Sequence, residues 1–583
     1  MKRLIATVFL AAGCLAAYAV DPYAGYIYPF GIEAGTTNRF VIGGQALWGV
    51  RNVHFDNPGL HVLKIEKVPG FAPPTGLQRK HLKKWLDGIA EGNLEEPPLP
   101  ADPHLDEWRS NSWWRALNTL DAGQIAIVEY DLYTPRNSLQ DTPSLRQKML
   151  VTVAADKDAA LGQCSFYVYA WSGISAPRPF EVTRLPHAEE PLYVPPHREQ
   201  PGPRYVDVRS GGVVLDGQIM PGSTDAFRLR LAGRRRYAFT VTARELQPYI
   251  GDAVPGFFNA AIVLKDGDGN VVATADDDAR FRPDPFMDFT PPADGEYLLE
   301  IHDVLYRGRA DFVYSIAIDD FRMRTSPIAD GTVQKPGAVA IKRFMVDSPG
   351  PRVLEVTARR RGSPLDAVLT LRDKVGGKVL ARWDDATNTV FTGTIPQGEC
   401  DPIGTYDFKE AGEYVAEITD RTGHGGDDYV WWLDIRRPIP GFEVRSTRST
   451  LPLKGGSPLK VEFIVLRKEG FSGDVTIEFP DDVRPSRKCV ITSGVDRASA
   501  DLFYRGKRMA MPQAANLTAS ATIGGRTVRV PVIPCDDYEQ AFAWHHLVPT
   551  KDFLLTGIPG GGKKPAQSGK QKKGGKQKKP GNP

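Results

Sequence analysis

The chain is predicted to be all-β: tandem β-sandwich domains of jelly-roll and immunoglobulin-like type, with a small helical insertion in the N-terminal domain. Three observations lead there. Most of the sequence consists of short runs that alternate apolar and polar residues between Gly, Pro and Asn turns, the two-residue period of a half-buried strand. Helical periods are confined to one stretch near the N-terminus. Four sequence blocks recur in the same order about 110 residues apart, which means two adjacent copies of one domain.

At 583 residues the chain exceeds what one hydrophobic core organises, so several domains are expected. Residues 1–19 read as an export signal: Met1-Lys2-Arg3 is basic, Leu4 to Ala17 is apolar, and Ala17-Tyr18-Ala19 is a small-x-small cleavage site. The run is too short for a comfortable membrane span, and no second span follows. The stretch ending in Cys14 resembles a lipoprotein signal, but Ala11 stands where that motif has an aliphatic residue, so cleavage after Ala19 is expected.

Residues 21–185 form an immunoglobulin-like unit. YPFGIEAGTTNRFVIGGQAL, QIAIVEYDLY, KMLVTVAAD and CSFYVYAWSGISAPRPFEV read as its strands. Within it, Leu82, Trp85, Leu86 and Ile89 recur at helical spacing, and Trp108, Trp113, Trp114 and Leu117 suggest a second helix. Tryptophans at that spacing are expected in the core and not as a ligand platform. Residues 186–204 are rich in proline and read as an extended linker.

The repeated domains occupy 205–320 and 326–437. FTVTAREL (Phe239 to Leu246) recurs as LEVTARRR, and NAAIVLKDGDGNVVATADDD as DAVLTLRDKVGGKVLARWDD. DGEYLLEIHD recurs as AGEYVAEITD, and DFVYSIAI as DYVWWLDI. Residues 440–537 read as an immunoglobulin-like sandwich, followed from 538 to 583 by an extension and a disordered tail. That tail carries Lys563, Lys564, Lys570, Lys572, Lys573, Lys576, Lys578 and Lys579 and no acid. Without those eight lysines and the two signal charges, the formal net charge of +3 becomes −7. A mildly acidic body gives no reason to expect specific nucleic-acid binding, whereas the tail suits anionic polymers.

DGQIMPGSTDAFRLRLAGRRRYAFTVTAREL, followed by FTPPADGEYLLEIHD, resembles the bacterial pre-peptidase C-terminal domain. The likeness rests on Gly217, Ile219, Asp225, Phe227 and Gly295 to Asp303. The second copy keeps Asp366-Ala367 and Gly412 to Asp420 but has no acid matching Asp225. The resemblance implies a jelly-roll sandwich of the kind appended to secreted hydrolases. The whole arrangement resembles large secreted proteins of planctomycete and verrucomicrobial type. It implies an architecture and no activity.

No G-x-S-x-G elbow, HExxH, Walker loop or nucleotide fingerprint is present, so a non-catalytic protein is expected. His545 and His546 are adjacent, so on a strand they face opposite sides. Asp266 to Asn270 imitates a calcium loop but reads better as a hairpin turn. The candidate metal ligands are Asp276, Asp277, Asp278, Asp284 and Asp288, crowded oxygen donors suited to calcium, whereas the second copy matches only Asp384 and Asp385 among them. Of the cysteines, Cys489 and Cys535 share a domain and could pair as a disulfide, and Cys164 and Cys400 are expected as separate thiols. The expected partners are envelope or extracellular polysaccharide or protein. The alternative is an accessory, substrate-targeting subunit of a secreted peptidase or glycan hydrolase.

Overall fold

The computed structural model describes residues 21–68, 76–99, 112–134, 142–170, 172–246, 257–277, 284–320, 329–388, 397–454, 456–540 and 544–558. The signal, Cys14, Trp108, Asp278 and the lysine tail lie outside these residues. Strands dominate, and the protein is all-β with a helical insertion. No helix among the described residues is long and apolar enough to cross a membrane.

The N-terminal domain packs two four-stranded sheets face to face. One orders Tyr23–Tyr28, Thr37–Gln45, Gln147–Ala155 and Leu60–Lys67. The other orders Gly31–Glu33, Arg178–Thr183, Gly162–Ala170 and Val50–Phe55. Alternation along each strand aims Phe40, Ile42, Val151, Val153, Phe166 and Phe180 into one core. The insertion sits between the strands Leu60–Lys67 and Gln147–Ala155. Its helix Gly76–Ala90 buries Leu82, Trp85 and Leu86 against Trp113, Trp114 and Leu117, so the tryptophans are core.

One expected strand is a helix. Gln124 to Tyr133 lies in the helix Ala122–Tyr133, which starts on a capping box in which Asp121 and Gln124 each satisfy the other's backbone amide. Its apolar run alternates like a strand, but Val128 and Leu132 are one helical turn apart and both pack into the insertion's core. The cap and that packing outweigh the β-branched composition.

The Pro-rich stretch is not a free spacer. His187–Glu189 pairs in parallel with Val213–Gln218, and Arg204–Asp207 pairs in parallel with Asp225–Leu231, so both of its ends are strands of the first repeat. Between them Tyr193 meets the Tyr130 ring edge-on, and Arg198 bonds Asp87 and Glu129 of the insertion, each at 2.7 Å.

The two repeats share a topology. In the first, one sheet runs Asp225–Leu231, Gly295–Asp303, Ala260–Lys265, Val271–Ala275. In the second, the same order is Ala340–Val346, Gly412–Asp420, Ala367–Arg372, Val379–Trp383. Register agrees to the residue: Ala260 faces Asp303 and Ala367 faces Asp420, and both hairpins carry a bulge at the same place. The hairpin at Asp266 is an Asx turn. Its carboxylate accepts the amides of Asp268 and Asn270, and Gly269 takes φ +85°.

The C-terminal domain wraps eight strands around the core of Val444, Phe463, Val475, Ile491, Leu502 and Ala519. The extension after 537 is partly built into it, because Phe553–Ile558 pairs in parallel with Thr450–Lys454. Leu554 packs on Tyr167, Tyr169 and Ile174 of the N-terminal domain. The buried Arg178 donates to Ala24 O (2.7 Å) within the N-terminal domain and to Tyr538 Oη (2.9 Å) across the same seam.

Candidate functional site

Of the five aspartates expected to share a loop in the first repeat, Asp278 lies outside the described residues and the other four do not converge. Asp284 is fully buried and accepts the amides of Ala243 (2.9 Å) and Arg244 (2.7 Å), capping the 3-10 turn Arg244–Leu246. Asp288, on the strand Phe286–Phe289, accepts from Arg236 Nε at 2.7 Å. Asp276 and Asp277 stay exposed where the strand Val271–Ala275 ends. Asp284 gives both oxygens to backbone amides and Asp288 is held by Arg236, and neither joins Asp276 and Asp277 in a group of carboxylates, so both leave the candidate set.

The second repeat rebuilds the same place with more charge. Asp385 bridges Pro402 as Asp277 bridges Pro285. The fully buried Asp401 accepts the amides of Arg359 (2.9 Å) and Arg360 (3.2 Å), as Asp284 does for its own turn. Asp401 is therefore the counterpart of Asp284. The sequence hides this because the loop from Asp277 to Asp284 takes seven steps, and the loop from Asp385 to Asp401 takes sixteen. Asp303 accepts the amide of Asn259, and Asp420 accepts that of Asp366, which makes Asp366 the counterpart of Asn259.

One oxygen from each of Asp366, Asp384 and Asp385 lies within 4.8 Å of those of the other two. Asp384 Oδ1 accepts the Asp385 amide at 3.0 Å, and Asp384 Oδ2 pairs with Arg421 at 2.9 Å. Asp366 Oδ2 is 3.4 Å from Arg359 Nη2. Asp366 Oδ1 and Asp385 Oδ1 are buried and accept no hydrogen bond. Burial, then the charges of Asp366 and Asp384, push the Asp385 carboxyl above its ordinary range. The sequence marks Asp366 only as part of a strand signature. The signal that could have found it was the Asn/Asp pair at matching block positions.

A second cluster joins the N-terminal domain to the first repeat. Glu190 accepts the amide of Gln218 at 2.8 Å and hydrogen-bonds Tyr28 and Asp225, and Tyr314 donates to Asp225 Oδ2 at 2.9 Å. Burial raises both carboxyls, and the negative charge of Asp225 raises Glu190 further, so the pair holds a proton. Nearby, His187 Nδ1 meets Asp216 Oδ2 at 2.6 Å. Burial works against its charge, but Asp216 holds the imidazole above its ordinary value. A cleft on this seam, lined by Tyr26, Phe30, Leu246, Phe257 and Asp311, has room for on the order of one water.

The expected disulfide is absent. Cys489 and Cys535 are both free thiols: Cys489 sits in the core of the C-terminal domain, and Cys535 packs separately beside Ile464 and Leu547. They share a domain in sequence, but different sides of its sheet separate them. Burial pushes the thiols up to about 11 and about 12, which leaves them unreactive. Cys164 is also free, and the Cys400, His545 and His546 side chains lie outside the described residues.

No family model matches the chain. None of the curated proteins matches it. Among solved structures it is similar to the crystal structure of Dscam1 isoform 9.44, N-terminal four Ig domains, at 9% identity and a TM-score of 0.12, covering 67% of this chain and 86% of that one.

Proposed function

We propose that the chain is an exported, non-catalytic binding or adhesion protein of the cell envelope or its surroundings. One observation carries the reading. In the first repeat the edge strand Asp225–Leu231 is completed by Arg204–Asp207. In the second repeat, the matching strand Ala340–Val346 has no strand on its outer side among the described residues. That open edge exposes Val339 (49%), Ile341 (47%) and Met345 (72%). A sheet edge with unpaired backbone groups and apolar side chains takes an extended partner by strand addition. Residues 1–19 direct export in this reading, and the lysine tail adds attraction for anionic polymers.

An open edge favours a protein partner over a glycan, which also supports the accessory-subunit reading. The full mature chain is immobilised and offered envelope glycans and secreted proteins, beside the variant Ile341→Glu/Met345→Glu. The expected result is a protein retained by the wild type and lost by the variant at unchanged Tm. Equal retention by both overturns the edge, and retention of glycan alone overturns the protein partner.

A further inference from the structure

We propose that the second repeat holds one calcium ion between Asp366, Asp384 and Asp385. Calcium binds six to eight oxygens at about 2.4 Å, so two ligands across the ion stand about 4.8 Å apart. The three carboxylates fall within that span. Magnesium demands near-octahedral geometry and keeps several waters, so three carboxylates brought from separate strand ends suit it less well.

Crowded acids alone do not make a site. Here Asp366 is only 7% exposed, and its Oδ1 is buried with no donor. Asp385 Oδ1 is in the same condition. A buried carboxylate oxygen without a partner is costly, and two of them beside a third carboxylate point to a cation between them. At the matching position of the first repeat, the Asn259 side-chain oxygen is also buried without a partner. The geometry therefore repeats, but one charge is missing there and Asp276 and Asp277 are exposed.

The nearby arginines do not fill this role. Arg421 is 56% exposed and reaches Asp384 from the surface, and Arg359 approaches Asp366 at 3.4 Å with its own Nε buried and unpaired. Arg360 is bound to Asp401 at 2.9 Å. The ligand backbones are fixed independently of any ion. The Asp366 amide is held by Asp420, Asp385 is held by its bridge to Pro402, and Asp384 closes the strand Val379–Trp383. A site held on strand ends is ordered before the ion arrives.

The full mature chain, freed of divalent ions with chelator, is titrated with calcium chloride by calorimetry and melted with and without millimolar calcium. The expected result is one ion per chain and a raised Tm for the unfolding step of the second repeat. Asp384→Asn, on the exposed side, is expected to weaken binding about tenfold or more, and Asp366→Asn/Asp385→Asn to abolish it. Asp276→Asn/Asp277→Asn is expected to bind like the wild type. No heat and no Tm shift, or unchanged binding by Asp384→Asn, overturns the site. Loss of binding in Asp276→Asn/Asp277→Asn overturns its placement in the second repeat, and an equal response to magnesium overturns the assignment to calcium. Should Asp366→Asn/Asp385→Asn not fold, Asp384→Asn alone decides.

Discussion

The first and second repeats have the same strand order, the same register and the same bulge, yet they treat three corresponding positions differently. Where the first has Asp225, buried against Glu190 and Tyr314, the second has Ala340. Where the first has Asn259, the second has Asp366. Where the first borrows Arg204–Asp207 to close its sheet, the second has no strand on that edge among the described residues. The shared features are those that any copy of the sandwich needs in order to fold. Two of the differences lie on or beside the sheet's edge strand, and the third lies where the neighbouring hairpin begins. The first repeat is wedged between the N-terminal domain and its own leading segment, so its charges face inward. The second carries Ala340 at that position and, among the described residues, no strand on that edge.

The largest expected effect tests the shared part. Asp303 and Asp420 each close the turn after the GEY strand by accepting backbone amides. Asp303 also accepts Arg307 Nε and Nη2, both at 2.9 Å, whereas the fourth residue after Asp420 is His424, whose side chain is mostly exposed. Asp303→Ala therefore removes a fully buried charge partner as well as amide bonds. It is expected to cost about 3–5 kcal/mol, against about 1–3 kcal/mol for Asp420→Ala. Urea unfolding of the full chain, followed repeat by repeat through hydrogen exchange, measures both. Equal losses would show that Arg307 contributes nothing to the turn.

The second effect has a sign that distinguishes the copies. Burial works against the Asp303 and Asp420 carboxylates, but Arg307 for the one, Thr422 for the other and backbone amides for both hold them below the ordinary value. They contribute stability above the unfolded value near 4 that is lost as pH falls through the depressed value. Asp225 is the reverse: burial pushes it up to about 6 from 3.8. Its contribution is full below about 3.8 and is lost as pH rises through about 6. Asp225→Asn should therefore stabilise the first repeat relative to the wild type at pH 7, on the order of 1–3 kcal/mol, and make little difference at pH 4. Melting both proteins across that range reads the difference directly. A gap that does not change with pH would mean that Glu190, and not Asp225, carries the proton. The second repeat, with Ala340 at this position, has no titrating group there.

The repeat itself was legible because strand alternation and the turn glycines are written locally, block by block. The fold class was legible for the same reason. What stayed hidden depends on distance or context. The helix Ala122–Tyr133 has the composition of a strand, and only its Asp121–Gln124 box and the core it meets decide the matter. The equivalence of Asp284 and Asp401 is masked by loops of unequal length, so the acids of the second copy looked fewer than they are. Asp225 read as a family signature, but its burial depends on Glu190 from the preceding stretch, which a sequence shows as a linker. Cys489 and Cys535 share a domain, but proximity in sequence does not determine which side of a sheet a thiol meets.

The smallest effect is the control that the two copies provide for each other. Arg228 pairs with Glu296 in the first repeat and Arg343 pairs with Glu413 in the second, at corresponding places on neighbouring strands. Both pairs span 3.8 Å, and all four side chains are at least half exposed. At that distance and exposure, the attraction is screened by water and offset by the order imposed on two long side chains. A double-mutant cycle to alanine in each repeat is expected to give a coupling of about 0.5 kcal/mol or less, the same in both and smaller still at 1 M salt. A coupling well above that in the first repeat alone would mean that its packing against the N-terminal domain stiffens even the outer face of its sheet. The differences between the copies would then extend beyond the three positions where their contacts differ.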